Sequence, residues 1–299
     1  MAVVGHDGSV DIPRPPTGVG LTAVGVAGFR AVESARPDAL FHDPWAGRFV
    51  AAAGLPPDLG RDRLRSPELD ALWARFAAHM VVRTQFFDRY LIDAAAAGIR
   101  QVVVLAAGLD TRGLRLPWPA SLHLWELDLP EMTSFKEQVL ADAGATAACD
   151  RSVVPVDLRL DWPEAIRQAG HRADLPTAWL AEGLLMYLSP DENDRLLDGI
   201  SDLSAPGSRL GLSAANQSIM DSPLAQRELD VVGDPWPDLR SLWRSGFEAP
   251  PIDWLTAHGW RARAYESGVC AEDYGRPLPA VPSEEAGAGN EWLLIAHRD

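Results

Sequence analysis

Lysine is almost missing from this chain. Lys136 stands alone beside 26 arginines, and 42 acidic residues bring the net charge to −15. That balance excludes a surface built to neutralise a nucleic-acid backbone. It still allows a small anionic ligand held by one or two local arginines. Cysteine is nearly as scarce. Cys149 and Cys270 are far apart and lack metal-ligand spacing, so they read as two isolated thiols of a reducing cytoplasm. The seven histidines form no HExxH or HxH pair, and no metal site is expected. No apolar run approaches the ~18–20 residues of a membrane span. The opening MAVVGHDGSVDIPRPP lacks the basic-then-apolar layout of a secretory signal. The expectation is a soluble cytoplasmic protein with neither membrane nor nucleic-acid partners. Phosphate loops are missing too, since neither GxGxxG nor GxxxxGK[ST] occurs where the first strand turns.

What is present is patterned. Residues 1–18 read as a loose leader and 19–100 as a helical extension. Within the latter, Ser66 before Pro67 signals a helix start. Leu69, Leu72, Trp73, Phe76, Met80, Phe87 and Leu91 then recur at helical spacing. Arg83 falls on the same stripe, where a charge is costly unless paired. From Gln101 the pattern alternates strand (101–107, 122–128, 152–157, 177–182, 208–214, 260–266, 291–297) with helix (131–143, 162–170, 191–203). This predicts an α/β fold, a mostly parallel seven-stranded sheet with helices on both faces. No helix is expected between the last two strands, so one of them should run antiparallel. The core is placed at 101–299, with an insertion at 215–255 acting as cover. That insertion carries Trp236, Trp243 and Trp254.

Ligands of open parallel sheets bind beyond the carboxyl ends of the strands. There the sequence puts AAGLDTR, Asp128, Asp157 and Glu182, with Asp128 20 residues after Gly108. Any one acid could be a helix cap. Three in succession after a Gly-containing turn describe acceptors for ribose, an adenine amino group and an ammonium. They make a poor pocket for pyrophosphate, and a cationic nucleoside without phosphate fits: S-adenosylmethionine.

The motifs TAVGVAGFRAVESARPDALFHDPWA, GLDTRGLRL, WELDLPEM with a following lysine, VPVDLR and AEGLLMYL occur in the order seen in a known family. Over residues 19–215 the chain resembles the leucine carboxyl methyltransferase-like enzymes, S-adenosylmethionine-dependent and Rossmann-like in fold. It is most similar to their bacterial polyketide-type O-methyltransferase branch. The resemblance implies that Gly108 admits the methionine portion of the cofactor and Asp128 the ribose hydroxyls. Asp157 and the backbone of Leu158 would read the adenine, and Arg83 would pair with the cofactor carboxylate. Glu182 would lie near its amino group or sulfonium, and Arg30 would add a second basic contact. Ala106 departs from the family, where glycine is usual.

A carboxylate acceptor is ionised at neutral pH and needs no general base, whereas a phenol does. His79 and His42 read as structural and Tyr187 as a group that could orient the acceptor. The absence of an evident base favours transfer to a small-molecule carboxylate, plausible for a polyketide-like natural product. Arg112, Arg115, Arg240 and Arg244 are candidate cations to receive it. The alternatives are methylation of a phenolic hydroxyl, or a binding protein that retains the cofactor but has lost transfer, toward which Ala106 is the only hint.

Overall fold

Val102, Val103, Val104 and Leu105 are all buried, as a strand covered on both faces must be. The computed structural model describes residues 16–55, 67–217, 239–280 and 291–299. Ser66, Trp236, most of the leader and much of the expected cover lie outside these residues, as do the side chains of Leu69, Leu72 and Arg240. Helices α1 (Val19–Ser34), α2 (Ala46–Ala52) and α3 (Pro67–Ala96) precede β1 (Gln101–Leu105). Then come α4 (Arg112–Arg115), β2 (His123–Asp128), α5 (Pro130–Asp142), β3 (Asp150–Pro155) and α6 (Trp162–Gln168). β4 (Thr177–Ala181), a 3-10 turn at Leu185–Tyr187, α7 (Pro190–Asp202) and β5 (Arg209–Ala214) follow. The chain ends in α8 (Leu239–Leu242), α9 (Ile252–Ala257), β6 (Arg261–Glu266), α10 (Ser267–Asp273) and β7 (Trp292–His297).

The sheet order is β3-β2-β1-β4-β5-β7-β6. β7 alone is antiparallel, inserted between β5 and β6. The expectation of no helix between the last two strands is corrected by α10. Its segment SGVCAED is too short to display helical periodicity. Strand order reverses between β1 and β4, and the crevice beyond their carboxyl ends is where a ligand of such a sheet belongs.

Alternate residues of β1 feed two cores. Val103 and Leu105 join Trp125, Trp162, Trp179 and the buried side of α7, while Val102 and Val104 meet α3 and α10. One face of α3, from Val82 to Ala95, therefore shares a core with the sheet. A third cluster binds α1 and α2 to α5, with Leu109 and Met80 inside it. Phe76, expected on the buried stripe, is 46% exposed. Phe76 lies edge-on against Phe29 of α1, with its remaining surface open to solvent. No described helix is long and apolar enough to cross a membrane.

Candidate functional site

The turn after β1 is held open by its backbone. Ala106 and Gly108 both sit at φ +48°, the left-handed region that costs a residue with a side chain ~1–2 kcal/mol. Ala106 packs its methyl against the sheet core in that conformation. A Cβ on Gly108 would also lie 3.2 Å from the Ala23 methyl of α1, a contact tight enough that α1 would have to give way slightly. The Gly108 N–H donates to Asp128 Oδ2 at 2.5 Å, and the Leu129 N–H donates to Asp128 Oδ1 at 2.7 Å. Burial pushes the Asp128 carboxyl up against these two hydrogen bonds. Each oxygen keeps a lone pair beyond its backbone donor.

Across the crevice, an ionic network joins the ends of β1 and β4 to α3. Arg83 donates from Nε to Glu182 at 3.0 Å and from Nη1 to Glu291 at 3.1 Å. Arg112 meets Glu182 Oε2 at 2.8 Å, Asp88 at 2.7 Å, and Asp110. Arg115 grips Asp88 with two nitrogens at 2.6 and 2.7 Å. Three guanidiniums thus face four carboxylates, and the cluster has one excess negative charge before His79 is counted. Burial opposes the charge of Arg83, but Glu291 and Glu182 outweigh it and its pKa is raised. Burial likewise works against the Glu291 charge, yet Arg83 and His79 hold its carboxyl far below the usual range. His79 spans Glu291 and the Ser267 hydroxyl.

The sequence-derived residues fall into groups. Arg83, Gly108, Asp128 and Glu182 surround the crevice between β1 and β4. Asp157 lies two residues past the end of β3 and is half-buried, bound by Arg159 at 2.6 Å. That contact lowers its carboxyl pKa. Leu158 packs against the sheet core. Arg30 is committed to Asp43 at 2.8 Å and to the Leu109 carbonyl at 2.6 Å, so in this structure it braces the first turn from α1. Tyr187 donates a long 3.3 Å hydrogen bond to Thr22 Oγ1, and burial raises its hydroxyl pKa.

Among the candidate acceptor cations, Arg112 and Arg115 are buried structural partners of Asp88, not exposed arginines, and Arg244 pairs with Glu192. His42 is exposed, near the Ser34 carbonyl. Trp254 donates to Asp194 and packs on Phe247. Sequence reasoning missed Glu291 and Asp110. Asp110 was in view within GLDTR. Glu291 heads an apolar strand, but 208 residues separate it from Arg83 and nothing in the sequence joins them.

The profile of the leucine carboxyl methyltransferase family matches residues 23–201. A Parafrankia protein named for an inferred S-adenosyl-L-methionine-dependent methyltransferase activity is 46% identical over 272 residues, 89% of this chain and 84% of that one. A Streptomyces coelicolor protein named the same way is 43% identical over 278 residues, 92% and 94% of the two chains. Among solved structures, a Streptomyces avermitilis protein of the DUF574 family aligns with TM-score 0.56 and 14% identity, over 91% of this chain and 97% of its own. A Thermobifida fusca protein described as an inferred methyltransferase aligns with TM-score 0.53 and 20% identity, over 97% of both. These two likenesses concern the fold. The family match and the close relatives place the chain in the leucine carboxyl methyltransferase family of S-adenosylmethionine-dependent methyltransferases.

Proposed function

We propose that the protein transfers a methyl group from S-adenosylmethionine to a carboxylate oxygen of a small molecule, of polyketide-like natural-product type. The observation that carries this reading is the excess of carboxylate over guanidinium at the crevice between β1 and β4, with Asp128 beside it. Such a site prefers a cation to a phosphate.

The residues present fit the cofactor. Asp128, already fixed by two backbone N–H groups, has lone pairs left for a ribose diol. Arg83 has given Nε and Nη1 to protein carboxylates, which leaves Nη2 for a ligand carboxylate. That nitrogen lies 3.4 Å from where a Gly183 Cβ would stand. Glu182 and Glu291 flank the same guanidinium and would favour an ammonium nearby. Asp157 and Leu158 remain the proposed adenine contacts, with Arg159 having to share or yield Asp157. When bound, the cofactor supplies a methyl already activated on a cationic sulfur.

The chain's own part is then to orient the acceptor and exclude water. Every carboxylate beside Arg83 and Arg112 is engaged by an arginine, so none is presented unpaired to an acceptor hydroxyl. An acceptor already ionised fits that environment better than a phenol. The aromatic side chains of Tyr187, in the 3-10 turn, and Trp243 beside it support a flat, ring-containing acceptor.

Calorimetric titration with S-adenosylhomocysteine should show saturable binding, and NAD should show none. The reverse would remove the cofactor assignment. Labelled methyl transferred to a panel of aromatic and polyketide acids should be released by mild base, as esters are; a base-stable product would remove the carboxylate reading. Gly183→Ala should weaken S-adenosylhomocysteine by about tenfold or more, since its φ of +63° adds ~1–2 kcal/mol of strain and its methyl covers Arg83 Nη2. Unchanged affinity would mean Nη2 is not a ligand contact.

A further inference from the structure

A guanidinium is planar, so fixing two of its nitrogens also fixes where the third points. Arg83 is held in this way. Glu182 takes its Nε at 3.0 Å, and Glu291 straddles its Nη1 with Oε2 at 3.1 Å and Oε1 at 3.3 Å. The aim of Nη2 therefore depends on where these two carboxylates stand. Glu182 is tied in turn by Arg112 at 2.8 Å. Glu291, buried just ahead of β7, leans instead on His79, whose Nε2 bonds to Oε2. The Ser213 hydroxyl adds a further hydrogen bond to the same carboxyl.

His79 lies one turn before Arg83 on α3, so the two side chains leave the same face of the helix. An ionised carboxylate can only accept, which makes Nε2 the donor toward Glu291. The other ring nitrogen, Nδ1, meets Ser267 Oγ at 2.6 Å. That hydroxyl can donate to a neutral ring or accept from a protonated one, so the ring keeps its orientation in both states. Ser267 is the first residue of α10 and is 1% exposed, and α10 shares a core with α3. The imidazole is thus pinned from α10, and it pins Glu291. Arg83 cannot do this for itself, because a carboxylate held by the guanidinium alone would move with it.

We propose that His79 is a positioning residue for the cofactor carboxylate, acting through Glu291 to aim Arg83 Nη2 and anchored in turn by Ser267. This rests on the reading of Nη2 as the contact for that carboxylate. The role asks for an N–H donor where Nε2 stands, not for a charge on the ring, and it involves no proton transfer.

The test uses the full chain and two ligands that differ in one group, S-adenosylhomocysteine and its decarboxylated analogue, each titrated by calorimetry. Wild type should bind S-adenosylhomocysteine about tenfold or more tighter than the analogue. His79→Leu should erase that preference by weakening S-adenosylhomocysteine about tenfold, with the analogue bound as in wild type. His79→Gln, whose amide N–H can stand in for Nε2, should retain most of it. Should His79→Leu fail to fold, wild type labelled with 15N-histidine decides, the His79 signals being assigned by their loss in His79→Gln. S-adenosylhomocysteine should shift the His79 ring nitrogens, and the analogue should leave them in place. The positioning role is overturned if His79→Leu keeps the preference or weakens both ligands alike. It is equally overturned if His79→Gln loses the preference as fully as His79→Leu, or if both ligands or neither shift the ring. A wild type with no preference between the ligands would instead remove Arg83 as the carboxylate contact, and the role of His79 with it.

Discussion

Asp128→Ala should reduce the affinity for S-adenosylhomocysteine by about a hundredfold or more, measured by calorimetry at neutral pH. Two charge-assisted hydrogen bonds to ribose, at about 1.5–3 kcal/mol each, set that scale. The loss should exceed the ligand contacts themselves, because the same carboxylate positions the first turn. Without it the Gly108 N–H has lost its acceptor, which costs about 1–3 kcal/mol of fold stability. Affinity and melting temperature should therefore fall together. Asp128→Asn should show both effects as well. It keeps one acceptor oxygen but turns an NH2 toward a backbone N–H, so it should also bind poorly. An Asp128→Ala chain that binds normally would mean that the end of β2 does not hold the ribose.

Arg112→Met should be the most damaging of the charge substitutions to the fold. Arg112 is buried among Asp88, Asp110 and Glu182. Breaking one side of a buried ion pair costs about 3–5 kcal/mol, most of it from the charges left unpaired. The melting temperature should drop on the order of 10 °C. The pH dependence supplies a second signature. Burial alone would raise the Asp110 carboxyl, but Arg112 above all, with Lys136 and Arg115 adding less, holds it at about 2. A folded-state value below the unfolded one means that Asp110 stabilises the fold above the unfolded carboxylate pKa of about 4. That contribution disappears as pH falls from about 4 through about 2. Arg112→Met should flatten this acid limb, and mild acidification should narrow the gap to wild type by neutralising the stranded carboxylates. A variant as stable as wild type at pH 7 would show the network to be dispensable.

How much of this could be read from the sequence depends on the reach of each interaction. The strands were legible because their apolar runs are short and continuous, and all seven appear within two residues of their expected starts. Asp128 and Glu182 were legible because a strand's end is marked by the pattern itself. The Arg83 position was legible as a charge on an apolar stripe, but its partners were not. Glu182 and Glu291 are 99 and 208 residues away, and only the insertion of β7 beside β5 brings Glu291 there. Arg112 and Arg115 read as candidate acceptor cations because four residues of α4 are too few to show which face is buried. Arg30 looked like a ligand contact because the sequence does not show the Leu109 carbonyl waiting beside it. The α10 helix went unseen for the same reason as α4.

The placement of β7 also fixes an order of events during synthesis. β5 and β6 flank it, so they cannot join one sheet until the segment after Glu291 has left the ribosome and inserted between them. Arg83 emerges some two hundred residues earlier and, until then, lacks the Glu291 carboxylate that anchors its Nη1. A nascent chain can form the β1–β4 half of the sheet from sequential parallel crossovers, but with the guanidinium only half restrained. Ligand binding should therefore appear late and all at once, when the final strand closes the gap, with no gradual gain as length increases.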